Sequence, residues 1–318
     1  MKIVFFGTPA FSCGPLRALL CSPHTVAGVV TGPDKPQGRH LRLLPPPVKE
    51  AALQHGLPVF QCADVNSGAS VEQIRRLCPD LFVVVSYGSI LGRELLAVPR
   101  QGAINLHTSL LPELRGAAPI QRAIAQGKTE TGSTIMYMTE KLDAGDIIMQ
   151  EAAAIDPADT YGTLSDKLAL QGAALLVRAV DMIQAGAVIR IPQDDSRATC
   201  ARKFTKDELC IRWEMPAREI CDLIRALNPR PCAHTFLGLR GGAAPVKLLK
   251  AACAGPEKRG RPGEVLDVSA KGIVVQAGDG TVLIERLQPP GKREMDAASF
   301  IHGYKVRNGD TCGSSHTA

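Results

Sequence analysis

Four short apolar runs constrain the fold of this chain more than any other feature: Lys2 to Phe6, Val26 to Thr31, Leu81 to Ser86 and Ala103 to Leu106. They are rich in β-branched and aromatic residues and have almost no polar interruption, as strands buried on both faces do. Helical patterns fall between them, at Ala10 to Cys21, Val48 to His55 and Val71 to Cys78. Such alternation predicts an α/β fold, a parallel sheet covered by helices on both faces. In these sheets ligands bind beyond the C-terminal strand ends. The residues that follow each run are therefore the first place to look for chemistry.

The fourth run empties into such a place. Gly102 to Gly116 reads GAINLHTSLLPELRG, a buried strand that ends in a loop containing proline and glycine. Asn105 and His107 are two residues apart and so share one face of the extended segment. An amide can donate to a developing oxyanion, and an imidazole can donate or accept a proton near neutral pH. A single histidine beside a core strand is more often structural, so this pair alone does not decide the function. The first run ends in Phe6-Gly7-Thr8-Pro9, which lacks the Gly-x-Gly-x-x-Gly spacing of a dinucleotide site.

Further along, Ala117 to Arg122 starts a helix with proline in its first turn. Ser133 to Met138 reads as a strand, Glu140 to Asp146 as a loop, and Thr160 to Ala185 as a long helix with an apolar stripe. Gly186 to about Lys203 is polar and contains Pro192 and Asp194-Asp195. We expect a first domain over 1–186, a linker over 187–203 and a second domain over 204–318. The second opens with a helix around Ala217 to Ala226. Short strands follow at Val246 to Lys250, Glu264 to Val268, Gly272 to Gln276 and Val282 to Leu287, with a Gly278-Asp279-Gly280 hairpin turn. This pattern suggests a small barrel.

Charge separates the two parts. Of the 37 Lys and Arg and 31 Asp and Glu in the 318 residues, 1–186 hold 16 of each, so the net +6 lies wholly after residue 186. Lys258, Arg259, Arg261, Lys292, Arg293, Lys305 and Arg307 give the second domain a cationic side suited to a polyanion. The stretch from Thr31 to Arg42, followed by Pro45-Pro46-Pro47, carries Lys35, Arg39 and Arg42. Its prolines and glycines are expected to exclude regular structure. It reads either as a solvated surface loop or as a cationic arm for a phosphate backbone.

No apolar run approaches the roughly 20 residues of a membrane span, and the first apolar run is too short for a signal peptide. The ten cysteines include no Cys-x-x-Cys pair. Reduced structural thiols, no metal site and a cytoplasmic location are the expectation.

Asn105, His107, Ser109-Leu110-Leu111-Pro112 and Arg115-Gly116 together resemble the signature of the folate-dependent formyltransferases. In that family the Asn and His act with a downstream Asp, which corresponds to Asp143 in Leu142-Asp143-Ala144-Gly145-Asp146. The resemblance implies catalytic roles for Asn105, His107 and Asp143. It implies folate contacts from Ser109, Leu110, Leu111 and Pro112, and from Tyr87 and Gly88 in the turn after the third run.

The opening Phe-Gly-Thr-Pro-x-Phe string, the run Arg-Gly-Ala-Ala-Pro-Ile-Gln-Arg, Ile211-Arg212-Trp213 and Asn228-Pro229-Arg230-Pro231 are similar to strings of the methionyl-tRNA formyltransferases. The stretch 32–47 resembles the insertion by which members of that group grip the acceptor end of initiator tRNA, which implies tRNA contacts from Lys35, Arg39 and Arg42. The family usually has Gly and Lys where this chain has His40 and Leu41, and often an aromatic where Arg230 stands.

The implied fold is a Rossmann-like formyltransferase domain with a parallel-type sheet, followed by a small OB-like β-barrel. The implied substrates are 10-formyltetrahydrofolate, as formyl donor, and initiator methionyl-tRNA. No metal or membrane is implied, and a monomer is expected. The alternatives are a formyltransferase for a sugar-nucleotide amine, a hydrolase that releases formate, and a non-catalytic RNA-binding protein on the same scaffold.

Overall fold

The computed structural model describes residues 1–37, 42–239 and 242–313. In chain order its first half contains β1 (Lys2–Gly7), α1 (Cys13–Leu20), β2 (Thr25–Val30), β3 (Lys35–Gln37), β4 (Arg42–Leu44), α2 (Pro47–Gln54) and β5 (Val59–Phe60). Then come α3 (Gly68–Arg75), β6 (Leu81–Val85), α4 (Arg93–Leu96), β7 (Ala103–His107), α5 (Pro119–Ala125), β8 (Glu130–Tyr137), β9 (Ile147–Ala154) and α6 (Tyr161–Gln184). Two compact units result. Residues 1–119, 130–154 and 165–201 form the first, and 120–129, 155–164 and 202–318 the second.

The first unit is built on a seven-stranded sheet in the order β5-β2-β1-β6-β7-β8-β9. Pairing is parallel from β5 to β7 and antiparallel from β7 to β9. The parallel part confirms the reading of the four apolar runs. Alternate residues of β1 explain why they lack polar positions. Ile3 and Phe5 face a core shared with α1, α2 and α6, whereas Val4 and Phe6 face one shared with α3 and α4. Both faces are dry, so every position is apolar. Fully burying side chains such as Phe5, Phe82 and Ile104 stabilises the fold by about 1.5–3 kcal/mol each.

The structure corrects one expectation. The insertion after β2 is not irregular, because β3 and β4 pair as an antiparallel ribbon, with Lys35 opposite Leu44 and Pro36 opposite Leu43. Both strands of a two-stranded ribbon have an outward edge that needs no partner, and there proline's missing N–H does no harm. At the base of the ribbon the Asp34 carboxylate accepts two 2.8 Å hydrogen bonds from Lys49 Nζ and one of 2.7 Å from Gln61. These hydrogen bonds hold the Asp34 carboxyl below the usual carboxylate range.

The second unit contains α7 (Ala217–Leu227), β10 (Ala233–Leu239), β11 (Gly242–Gly255), β12 (Val265–Ser269), β13 (Gly272–Gln276), β14 (Thr281–Gln288), β15 (Met295–Asp296), α8 (Ala297–Tyr304) and β16 (Cys312–Gly313). Its antiparallel sheet runs β12-β13-β14-β11-β10-β16, with β15 paired to β14. The two ends of the sheet meet. Val265 N–H donates to Asp310 O at 2.8 Å, Gly309 N–H to Val265 O at 2.8 Å and Cys312 N–H to Gly263 O at 2.7 Å. The sheet therefore curls into the small barrel expected. Ile220, Ile224 and Leu227 of α7 and Phe300 of α8 pack into its core. Asp279 in the β13–β14 turn accepts from Ala217 N–H at 2.7 Å and caps α7.

Arg230 and Lys247 line an open cavity of about 840 Å³ in this unit, beside Tyr161 and Asn228. All ten cysteines are free thiols. Among the described residues no helix is long and apolar enough to cross a membrane.

Candidate active site

β7 lies where the sheet changes from parallel to antiparallel pairing, between β6 and β8. Asn105 pairs across to Val84 on one side and Met136 on the other, and His107 lies opposite Thr134. The Asn105 backbone is therefore fixed on two sides, and that of His107 on the β8 side. The Asn105 side chain is half-buried and makes no hydrogen bond among the described residues. His107 is only 5% exposed. Its Nε2 lies 2.9 Å from Leu114 O. A carbonyl can only accept, so Nε2 carries a proton. Nδ1 is left facing Asp143 Oδ2 at 3.6 Å, which is beyond hydrogen-bond length.

Asp143 comes from the loop between β8 and β9. Its backbone is left-handed, with φ +49°, a conformation that Asp tolerates better than most side chains. Its carboxylate is 11% exposed, and Oδ2 accepts from Gly116 N–H at 2.8 Å. Two positions here require glycine. A Cβ on Gly116 (φ +121°) would come within 2.9 Å of Ala201 O, and a Cβ on Gly145 would collide with the Tyr137 carbonyl.

The loop from Ser109 to Gly116 is strapped from two directions. From the sheet, Thr134 Oγ1 donates to Ser109 O at 2.6 Å and accepts from Leu111 N–H at 3.3 Å. Gln150 of β9 donates from Nε2 to Leu111 O at 2.8 Å and to Thr134 Oγ1 at 2.9 Å. On the other side run residues 193–201. Leu114 N–H donates to Thr199 Oγ1 at 2.8 Å, Arg115 N–H to Thr199 O at 2.8 Å, and Ala201 N–H to Arg115 O at 2.7 Å. The loop is thus held before any ligand arrives, which is what oriented catalysis needs.

The structure brings Asn105, His107 and Asp143 together with the Ser109–Pro112 loop. Within that loop Ser109 is buried and its hydroxyl donates to Glu113 O at 2.6 Å. Leu111 packs with Met136 and Ile147. Leu110 and Pro112 are half-buried and leave surface open. Tyr87 and Gly88 follow β6, the parallel neighbour of β7. Tyr87 is buried edge-on to Phe6, with ring centroids 5.4 Å apart. Burial, with the nearby Cys62 and Asp64, pushes its hydroxyl up to about 12. Gly88 is exposed. Lys35 and Arg42 are exposed on the ribbon, and Arg39 lies outside the described residues.

Sequence reasoning missed Thr134, Gln150 and Gln193. The first two lie directly opposite each other in register on β8 and β9, but each has polar neighbours in its strand, Ser133 and Glu151, so neither stands out in the sequence. Gln193 does not stand out either, because its neighbours Pro192 and Asp194 read as loop.

As a whole, the site offers a free amide and a buried imidazole whose Nδ1 faces a carboxylate at 3.6 Å. That set can stabilise negative charge on a carbonyl oxygen and receive a proton during acyl-type transfer.

Comparisons with known proteins agree with this chemistry. Residues 1–180 match the family model for formyl transferase, and 203–305 the one for the formyl transferase C-terminal domain. The chain is 47% identical over 313 residues to the methionyl-tRNA formyltransferase of Moorella thermoacetica, covering 98% of this chain and 99% of that protein. It is 44% identical over 313 residues to the Bacillus subtilis protein of the same name, covering 98% of each. Among solved structures it is similar to an N-formyltransferase from Helicobacter canadensis in complex with folinic acid and dTDP-3-aminofucose. That likeness has a TM-score of 0.65 and 16% identity, and it covers 91% of this chain and 99% of that one. It bears on the fold alone.

Proposed function

The chain belongs to the formyl transferase family, and from that premise we propose that it transfers the formyl group of 10-formyltetrahydrofolate to the free amino group of methionyl-initiator tRNA. The product is N-formylmethionyl-tRNA, used in translation initiation in the cytoplasm. One observation carries the reading of the chemistry: the free Asn105 amide shares one strand end with His107, whose Nδ1 faces Asp143 Oδ2 at 3.6 Å. Similarity over essentially the full length to methionyl-tRNA formyltransferases supports the choice of acceptor.

The donor set fits a formyl carbonyl, since amide and imidazole N–H groups are suited to its oxygen. 10-Formyltetrahydrofolate supplies the formyl carbon, and the Ser109–Pro112 loop with the turn at Tyr87 and Gly88 would hold it. The α-amine of an aminoacyl ester is partly neutral at pH 7–8, so attack on that carbon needs no strong base. As the amine adds, the Asn105 amide and the Nδ1–H of protonated His107 donate to the formyl oxygen. Asp143 balances the charge on His107 and accepts the proton that the amine sheds; as the tetrahedral intermediate collapses, the formyl C–N10 bond breaks and that proton passes to N10 of the departing tetrahydrofolate. Because Leu114 O and Gly116 N–H already fix His107 and Asp143, little reorganisation is required.

The first unit would carry this chemistry. The ribbon cations Lys35 and Arg42, with Arg39, would grip the phosphate backbone of the tRNA, and the basic second unit would add further contacts.

The test is transfer of labelled formyl from 10-formyltetrahydrofolate to charged methionyl-tRNA, initiator against elongator. Label on the initiator alone is the expected result. Folate binding with label on neither tRNA would overturn the choice of acceptor and point to a small amine.

A further inference from the structure

Gln193 lies outside every motif of the chain, nine residues beyond the end of α6, yet its side chain joins the loop that follows β7 to the loop that carries Asp143. Its Oε1 accepts from Arg115 Nε at 3.0 Å and Nη2 at 2.8 Å. Its Nε2 donates to Asp143 O at 2.9 Å and to Gly145 O at 2.7 Å. The amide can be seated in only one way, because a guanidinium only donates and carbonyls only accept. Arg115 is itself held from behind by Asp195 Oδ1 at 2.7 Å. Just before Gln193, Ile191 exchanges two backbone hydrogen bonds with Ile147, of 2.8 and 3.0 Å. The segment is thereby anchored where the Asp143 loop enters β9.

The atoms that Gln193 grips are backbone carbonyls of the loop that carries the Asp143 carboxylate. Asp143 holds a left-handed backbone at φ +49°. A non-glycine residue keeps such a conformation only where its surroundings impose it. Gln193 fixes the carbonyl of Asp143 itself and that of Gly145, two residues on. Gly116 N–H fixes the carboxylate end.

We propose that Gln193 is a positioning residue for formyl transfer: its amide, oriented by Arg115, holds the Asp143 loop so that the carboxylate faces His107. This rests on the catalytic reading of Asp143 given above. Gln193 touches neither substrate nor reacting atoms and acts through Asp143.

Two substitutions separate this role from simple stabilisation. Gln193→Met removes every hydrogen bond at similar size. Gln193→Glu keeps an acceptor for Arg115 and loses the donor to the two carbonyls. Misplacement of a catalytic group by about 1 Å can cost on the order of 100-fold in rate. Both variants should lose roughly 10- to 100-fold in kcat, while KM for 10-formyltetrahydrofolate and for methionyl-tRNA stays within about twofold. Gln193→Glu should lose kcat out of proportion to any fall in its thermal midpoint. In an Asp143→Asn background the same changes should cost little more, because effects that run through one residue do not add.

Unchanged kcat in both variants would overturn the proposal, as would losses that fully multiply with that of Asp143→Asn. A loss confined to Gln193→Met that tracks a fall in thermal midpoint would also overturn it. If Asp143→Asn alone leaves kcat intact, the catalytic reading of Asp143 fails, which is distinguishable from failure of the Gln193 proposal.

Discussion

His107 and Asp143 face each other across 3.6 Å, a gap slightly too wide for a hydrogen bond, while each is tied by a separate bond to the backbone of one loop. Leu114 O fixes the imidazole and Gly116 N–H the carboxylate. The pair is therefore poised rather than closed on itself, with Nδ1 open to a substrate atom.

Removal of the donors should affect chemistry before stability. Asn105→Ala and His107→Ala are each expected to lower kcat by about 100- to 1000-fold, the usual effect of losing an oxyanion donor. Circular dichroism should remain that of the parent. A loss under about tenfold in a folded variant would reject the assignment.

Thr134→Val keeps shape but deletes a buried hydroxyl that serves Ser109 O, Leu111 N–H and Gln150 Nε2. Leaving such groups unsatisfied costs about 1–3 kcal/mol. Urea unfolding should move by that amount with an unchanged m-value, and kcat should fall as the loop loosens. A variant as stable as the parent would mean that water replaces the hydroxyl.

Acid should erase one ion pair selectively. Hydrogen bonds from Arg122 first, and from Thr205 N–H and Arg202, hold the Glu208 carboxyl down at about 2, against an ordinary 4.5. A depressed carboxylate stabilises the fold fully above its unfolded value, and that contribution fades as pH falls through the folded value. The stability gap between parent and Glu208→Gln should be widest near neutrality, narrow below about pH 4.5 and close towards pH 2. Denaturant midpoints from pH 7 down to pH 3 measure it, and a constant gap would refute the electrostatic origin.

For tRNA, the exposed ribbon cations make a salt-dependence prediction. If Lys35 and Arg42 each neutralise a phosphate, the double alanine variant should flatten the slope of log affinity against log salt by roughly 1.4–1.8. Folate binding should be unaffected. An unchanged slope would remove the ribbon from the tRNA interface.

Legibility in the sequence followed burial. β1, β2, β6 and β7 could be read because both of their faces are dry, which leaves an uninterrupted apolar run. β9 could not, since it starts buried at Ile147 and Ile148 and ends exposed, in residues of low strand preference. β3 was hidden by Pro36, whose cost vanishes only because the ribbon has a free edge. Asn105, His107 and Asp143 were nameable from their strings. Thr134, Gln150 and Gln193 act through backbone groups distant in the chain, and no local pattern encodes such a partner.

The closure of the barrel has a consequence for its synthesis. The last stitches of the sheet, Val265 to Asp310 and Cys312 to Gly263, come from residues at the very end of the described chain. A nascent polypeptide that has reached only residue 300 has made β12 but not the strand that seals its edge. Until residues 309–312 are in place, that edge stands unpaired and open to neighbouring chains. A chain truncated after residue 300 should therefore aggregate more readily than the parent.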